Sequence, residues 1–137
     1  MRIVVDTNVV LDVLLEREPF VNPSKQVLGL VEASHVEGYL CATTITTLDY
    51  LLCRSLPRKK ARAVLGRLLG LFEVAPANRP VIDCALKSVM TDFEDAVIDE
   101  AARLVDAPIV VTRNTKDFKK AHSTALDPVE LLAQFSV

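Results

Sequence analysis

Short β-branched runs alternate along the chain with longer stretches in which apolar residues return every three or four positions. Arg2–Val5 is strand-like and closes on Asp6; residues 8–15 follow with helical spacing and stop near Pro19. Asn22-Pro23-Ser24 has the form of a helix cap and opens an amphipathic stretch to about Ser34, with Val27, Leu28, Leu30 and Val31 at core-facing spacing. Gly38 introduces a second apolar run, residues 39–42. The Thr43-Thr44 pair then offers an N-cap for a helix through Ile45, Leu48, Leu51 and Leu52 to about Leu56. Pro57 separates that helix from a basic one, Arg58–Leu69, which Gly70 ends. A third strand is predicted at residues 72–75, then helices over residues 79–89 and 92–104. Residues 109–112 form the clearest strand. A weak last strand near Ala125-Leu126 precedes a C-terminal helix over residues 129–135, with Pro128 in its first turn.

Strands that alternate with helices imply right-handed crossovers and a sheet covered on both faces. The expected fold is therefore α/β, a three-layer α/β/α sandwich around a mostly parallel five-stranded sheet. At 137 residues the chain makes one domain, residues 1–137, with no internal repeat or low-complexity linker. In such sheets functional groups gather beyond the carboxyl ends of the strands.

Composition narrows the classes. Half the residues are hydrophobic and a quarter charged, which suits a globular protein and excludes a disordered one. The longest uncharged stretch, residues 38–48, is too short to cross a bilayer, and the apolar run 9–15 is broken by Asp12 and lacks a cleavage site, so the chain is expected to be cytoplasmic. Cys41, Cys53 and Cys84 have no CxxC spacing and are expected to pack as small apolar residues. His35 and His122 stand alone in the sequence and are assigned surface or cap roles.

The net charge of −2 conceals an uneven distribution. Residues 54–67 hold six bases (Arg54, Arg58, Lys59, Lys60, Arg62, Arg67) and no acid, whereas residues 83–106 hold seven acids against two bases. One side suits phosphates and the other cations; ordinary solvation of a helix face accounts equally well for Lys59 and Lys60.

Four acids fall near the carboxyl ends of predicted strands. Asp6 follows the first, within Asp6-Thr7-Asn8, a tripeptide that also suits a helix cap. Asp49 sits inside the helix after the second strand, where Asp is a poor helix former. Asp92, Asp95 and Asp99 share one stripe of the next helix, with the helix dipole as an alternative explanation for the first two. Asp117 follows the fourth strand, where a turn acid is the default.

Taken together, Val4-Val5-Asp6-Thr7-Asn8-Val9, the Thr-rich helix start with Asp49, Asp92-Phe93-Glu94-Asp95-Ala96-Val97 and Thr112-Arg113-Asn114-Thr115-Lys116-Asp117-Phe118 resemble the PIN-domain nucleases, and within them the single-domain toxins of the VapC type. The resemblance covers nearly the whole chain and implies a PIN-like fold with catalytic acids at Asp6, Asp49, Asp95 and Asp117. It implies supporting roles for Thr7, Asn8 and Asn114; Asp92 is a further supporting candidate as an extra ligand, with the helix dipole as the alternative. Asp49 stands where the family more usually has Glu, one methylene longer, so its reach to a metal is in question.

Clustered carboxylates repel by about 4 kcal/mol for a pair 4 Å apart at an effective dielectric of 20, which a proton or a cation must relieve. An all-oxygen site suits Mg2+ or Mn2+, with Asp6, Asp95 and Asp117 as the metal-binding set. The implied activity is metal-dependent endoribonuclease hydrolysis of RNA by a metal-activated water. The RNA-binding candidates are Arg54, Arg58, Lys59, Arg62, Arg113 and Lys116, with Lys119 and Lys120 beside them. With no Trp and two Tyr, backbone contacts should outweigh base stacking.

The resemblance also implies a small antitoxin partner and a homodimer, and Leu14, Leu15, Phe20 and Val21 are candidates for the apolar part of an interface. A haloacid-dehalogenase-type phosphatase would need a second Asp where Asn8 stands, and a response-regulator receiver would need an acceptor Asp that residues 73–78 lack. The remaining alternative is a weakly active or inactive relative that serves as an RNA- or protein-binding module.

Overall fold

The computed structural model describes residues 1–135. Among these, β1 (Arg2–Val5), β2 (Glu37–Cys41), β3 (Glu73–Ala75), β4 (Ile109–Val111) and β5 (Thr124–Leu126) form one sheet in the order β3-β2-β1-β4-β5. Every neighbouring pair is parallel, so the expected mostly parallel sheet is wholly parallel. The chain builds outward from β1 to β2 and β3 on one side, then returns to add β4 and β5 on the other. The order reverses between β1 and β4, and their carboxyl ends open a crevice there.

The period-two alternation of the strands sorts the core into two layers. Ile3, Val5, Leu40, Ile109 and Val111 face α1 (Thr7–Leu14), α2 (Val21–Glu32), α3 (Ala42–Leu52), α4 (Arg58–Leu69) and α7 (Pro128–Ala133). Val4, Cys41, Ala75 and Val110 face α5 (Arg79–Leu86) and α6 (Phe93–Leu104). The α6 surface is built largely of alanines, with Ala96, Ala101 and Ala102 buried, which lets the helix backbone lie close to the sheet. This is the α/β/α sandwich the hydrophobic pattern predicts. Among the described residues no helix is long and apolar enough to cross a membrane.

Several local expectations change. Asn22 does not cap α2: the helix starts at Val21, behind Phe20, with no side-chain cap. The Thr43-Thr44 cap also fails, because α3 starts at Ala42; the Thr46 and Thr47 hydroxyls instead donate to the Thr43 carbonyl at 2.9 and 3.0 Å. α5 ends at Leu86 rather than Val89, and α3 at Leu52 rather than Leu56. Of the cysteines only Cys41 is buried; Cys53 and Cys84 are exposed, contrary to the packing expected of them. Asn78, Asp92 and Asp127 are side-chain N-caps, the last in a capping box with Glu130.

Three helices stop without glycine. After α1, α2 and α6, the residues Glu16, Ser34 and Asp106 take positive φ of 49°, 60° and 57°. Each begins a pair of reverse bonds, as in Asp106 N to Arg103 O and Ala107 N to Ala102 O. Gly70 does end α4, but in a right-handed conformation that any residue adopts.

Gly38 is the glycine that packing requires. A Cβ there would lie 2.8 Å from both the Phe72 ring, just before β3, and Val31 Cγ2 on α2. Gly38→Ala is expected to destabilise the protein by about 1–3 kcal/mol through overpacking. Urea unfolding measures this, and an unchanged midpoint would mean that Phe72 moves aside freely.

Candidate functional site at the carboxyl edge of the sheet

Asp6 leaves β1 at the crevice and serves two structures at once. Its Oδ1 accepts the Thr7 amide at 2.7 Å and caps α1. Its Oδ2 accepts the Thr112 hydroxyl at 2.8 Å and the Asn8 side-chain amide at 3.3 Å. Thr112, fully buried just beyond β4, was quoted in the sequence motif without a role; in the fold it ties β4 to β1 at the reversal point. Its hydroxyl also accepts the Asn114 amide at 3.0 Å, while Asn8 Oδ1 accepts the Arg113 amide at 3.1 Å. The Asn114 carbonyl in turn accepts the Asp117 amide at 3.0 Å, closing the 3-10 turn Thr115–Phe118 that carries Asp117. Thr7 reaches sideways, its hydroxyl 3.2 Å from that of Thr44 on α3.

Helix α6 brings its first turn to the same crevice. Asp92 is its N-cap, with Oδ1 accepting the Asp95 amide at 2.9 Å. The same carboxylate nevertheless acts on its neighbours. Burial pushes Asp95 up to about 7, and the charges of Asp6, Asp92, Asp117 and Glu94 add to it. Burial likewise raises Asp6 against the bonds from Thr112 and Thr7, with Asp92 and Asp117 adding to the rise. Glu94 is raised by burial and then by Asp92 and Asp6. Asp6, Asp92, Glu94, Asp95 and Asp117 therefore share one negative field. Glu94, next to Asp95 in the first turn of α6, belongs to it.

Two predicted members have other described partners. Asp49, on α3, has Cys53 Sγ 3.9 Å from its Oδ1. Asp99, expected on the Asp92–Asp95 stripe, is buried elsewhere and accepts the His122 and Ser123 amides at 2.9 Å each.

The bases divide in a similar way. Lys116, Lys119 and Lys120 line a cleft of about 330 Å³ together with Asp92 and Asp117. Arg58, Lys59 and Arg62 are exposed on α4, and Arg54 lies 5.0 Å over the exposed Tyr50 ring. Arg113 is a correction. Its guanidinium holds the fully buried Asp12 through Nε and, at 3.2 Å, through Nη2, and it stacks 4.0 Å over the Phe20 ring. A cation committed to a buried carboxylate and an aromatic face is not available to track phosphates.

An all-carboxylate set in a crevice suits a hard divalent cation, which would offset the neighbouring charges that help to raise Asp95. The family described as PIN domain matches residues 2–116. No curated protein sequence matches the chain. Solved structures similar to it include VapBC2 from Rickettsia felis bound to a DNA fragment from its promoter (TM-score 0.69, 16% identity, 93% of this chain and 98% of that one). FitAcB from Neisseria gonorrhoeae aligns with a TM-score of 0.71 and 24% identity over 93% and 98%. A toxin-antitoxin complex from Klebsiella pneumoniae aligns with a TM-score of 0.70 and 21% identity over 91% and 96%. At these identities the likeness is one of fold.

Asp95 gives the site a pH signature. Its carboxyl titrates near 3.8 when unfolded and near 7 when folded, so the folded state holds the proton more tightly and metal-free stability falls as pH rises from about 4 through about 7. The full shift corresponds to roughly 4 kcal/mol, which solvent screening at a half-exposed group reduces to about 1–2 kcal/mol. Asp95→Asn removes this penalty. In chelator its Tm should exceed that of the parent protein by roughly 3–8 °C at pH 8 and by clearly less at pH 5. Equal gains at the two pH values would show that these carboxylates do not share a field.

Proposed function

The chain belongs to the PIN-domain family, and on that premise we propose that it is a Mg2+- or Mn2+-dependent endoribonuclease, the toxin of a VapC-type toxin-antitoxin pair acting in the cytoplasm. The observation that carries the reading is the mutual action of Asp6, Asp92, Asp95 and Asp117 at the point where the strand order reverses. Asp6, Asp95 and Asp117 would hold the ion, with hard oxygen donors suited to either metal. Such an ion supplies an activated water and offsets charge on the phosphate oxygens.

The chain's own residues prepare the site. Thr112, Asn8 and the Thr7 amide fix both oxygens of Asp6 before any ligand arrives, so its orientation costs little at binding. Asp95, its carboxyl raised by burial, would give up its proton to hold such an ion. Lys116, Lys119 and Lys120 hold the RNA backbone beside Asp117, and Arg58, Lys59 and Arg62 extend the positive surface. Arg54 and Tyr50 form an exposed cation-π pair, a small platform for one base.

One observation favours a second reading. Asp49 carries one methylene less than the Glu the family more usually has there, a shorter reach such as a weakly active relative that binds RNA or protein without cutting would tolerate. Cleavage of a mixed RNA pool decides between the two. Asp6→Asn should reduce metal-dependent cleavage to background with an unchanged fold, whereas Asp49→Glu should keep or raise it. Persistent cleavage by purified Asp6→Asn protein would sink the nuclease mechanism.

The toxin role brings a small antitoxin and a homodimer. Of the candidate interface residues Val21 is buried, whereas Leu15 and Phe20 are exposed. Phe20 opens onto an apolar groove with Pro19, Pro23, Pro128 and Val129. A short apolar segment of the antitoxin would sit there. Co-expression with the adjacent small open reading frame should relieve growth inhibition and yield a complex that Phe20→Asp weakens. Expression that is harmless without any partner would remove the toxin role and leave the nuclease reading standing.

A further inference from the structure

At the amino edge of the sheet, opposite the acidic crevice, the second half of α6 meets the segment leading into β5. Asp99 and Glu100 are buried there at 1% and 6% exposure, and His122 folds over them. One ligand atom from each lies within 4.8 Å of the other two. The sequence separates His122 from both acids by more than twenty residues, which is why it showed no partner. The Asp99 carboxylate is fixed by the His122 and Ser123 amides at 2.9 Å, and each of its oxygens keeps a further lone pair.

His122 and Glu100 are more informative. His122 Nε2 lies 3.2 Å from Arg103 Nη1 and 3.3 Å from Glu100 Oε2, and Arg103 Nη1 lies 3.6 Å from Glu100 Oε1. A guanidinium only donates, so in the tautomer that accepts it the His122 Nε2 presents a lone pair. A nitrogen lone pair and a carboxylate oxygen thus face each other around a cation that happens to be a side chain. Their 3.3 Å spacing matches the edge of a tetrahedral zinc site, about 3.3–3.4 Å for bonds of about 2.0–2.1 Å. Arg103 is more than half exposed and is free to swing into solvent.

We propose that Asp99, Glu100 and His122 form a second metal site, distinct from the acidic crevice, which takes a Zn2+-class ion in place of the Arg103 guanidinium and pins the β5 lead-in to α6. The imidazole sets its preference: nitrogen beside carboxylate suits Zn2+ or Ni2+ over Mg2+, which demands oxygen.

Calorimetric titration of Zn2+ into metal-stripped full-length Asp6→Asn protein tests this with the crevice disabled. The expected result is one saturable Zn2+ site that excess Mg2+ does not displace. His122→Asn should weaken it at least about ten-fold. Arg103→Ala should tighten it, because the competing cation is gone; Arg103 is a surface side chain whose removal does not threaten the fold. Absence of saturable binding, or Zn2+ affinity indifferent to both substitutions, overturns the site and leaves an ion-pair clasp only. Should His122→Asn fail to fold, Arg103→Ala decides alone, and unchanged or weaker Zn2+ binding there is equally fatal.

Discussion

The pairing of β1 with a parallel partner on each side is the constraint from which the remaining structure follows. Ile3, Val4 and Val5 are fully buried, in register with β2 on one edge and β4 on the other. A strand buried on both faces cannot carry polar residues, so its first carboxylate comes where the strand ends, at Asp6. The chain adds strands first to one side and then to the other, which leaves no crossover over the end of β1. An open, dry-walled crevice with a carboxylate at its floor is the result. The Thr112–Asp6 bond then joins the two central strands at the point where they would otherwise part.

Around that floor the molecule accepts electrostatic strain for the sake of function. The charges of Asp6, Asp92, Glu94 and Asp117 all act on Asp95, and among the described residues none of the five is ion-paired with a base. The lysines at the cleft line its rim beside Asp92 and Asp117, the more exposed acids. Arg113, one residue from Thr112, turns the other way to serve Asp12 and Phe20. Had it faced inward, the site would satisfy itself and lose its demand for a cation. The alternation of Thr112 inward and Arg113 outward keeps the charge balance open.

Local features were legible in the sequence and distant ones were not. The strands and most helices follow from period and punctuation, which act over a few residues. The misplaced starts of α2 and α3 arose because polar residues of capping type, Asn22 and Thr43, lie one residue inside helices that begin at Val21 and Ala42, beside the buried Val21 and Cys41. The acids Asp6, Asp49, Asp95 and Asp117 were named through a motif, and the charges of Asp6 and Asp117 act on Asp95 in the fold. Arg113 was misread because its partner, Asp12, lies about a hundred residues away and looked like a mere interruption of an apolar run. Asp99 was misread because helical spacing gives a direction but not what waits there. No spacing rule predicts such pairs.

The glycine-free helix endings bear on the chain before it folds. Glu16, Ser34 and Asp106 hold a left-handed backbone that costs an L-residue about 1–2 kcal/mol each in the native state. Glycine would remove that cost, but it would enlarge the disordered ensemble by about 0.4–1 kcal/mol of entropy per site. The two effects run in opposite directions and leave a small difference. With only four glycines in 137 residues, the disordered polypeptide is comparatively stiff and has less freedom to surrender. Part of the protein's stability thus resides in what its unfolded form cannot do.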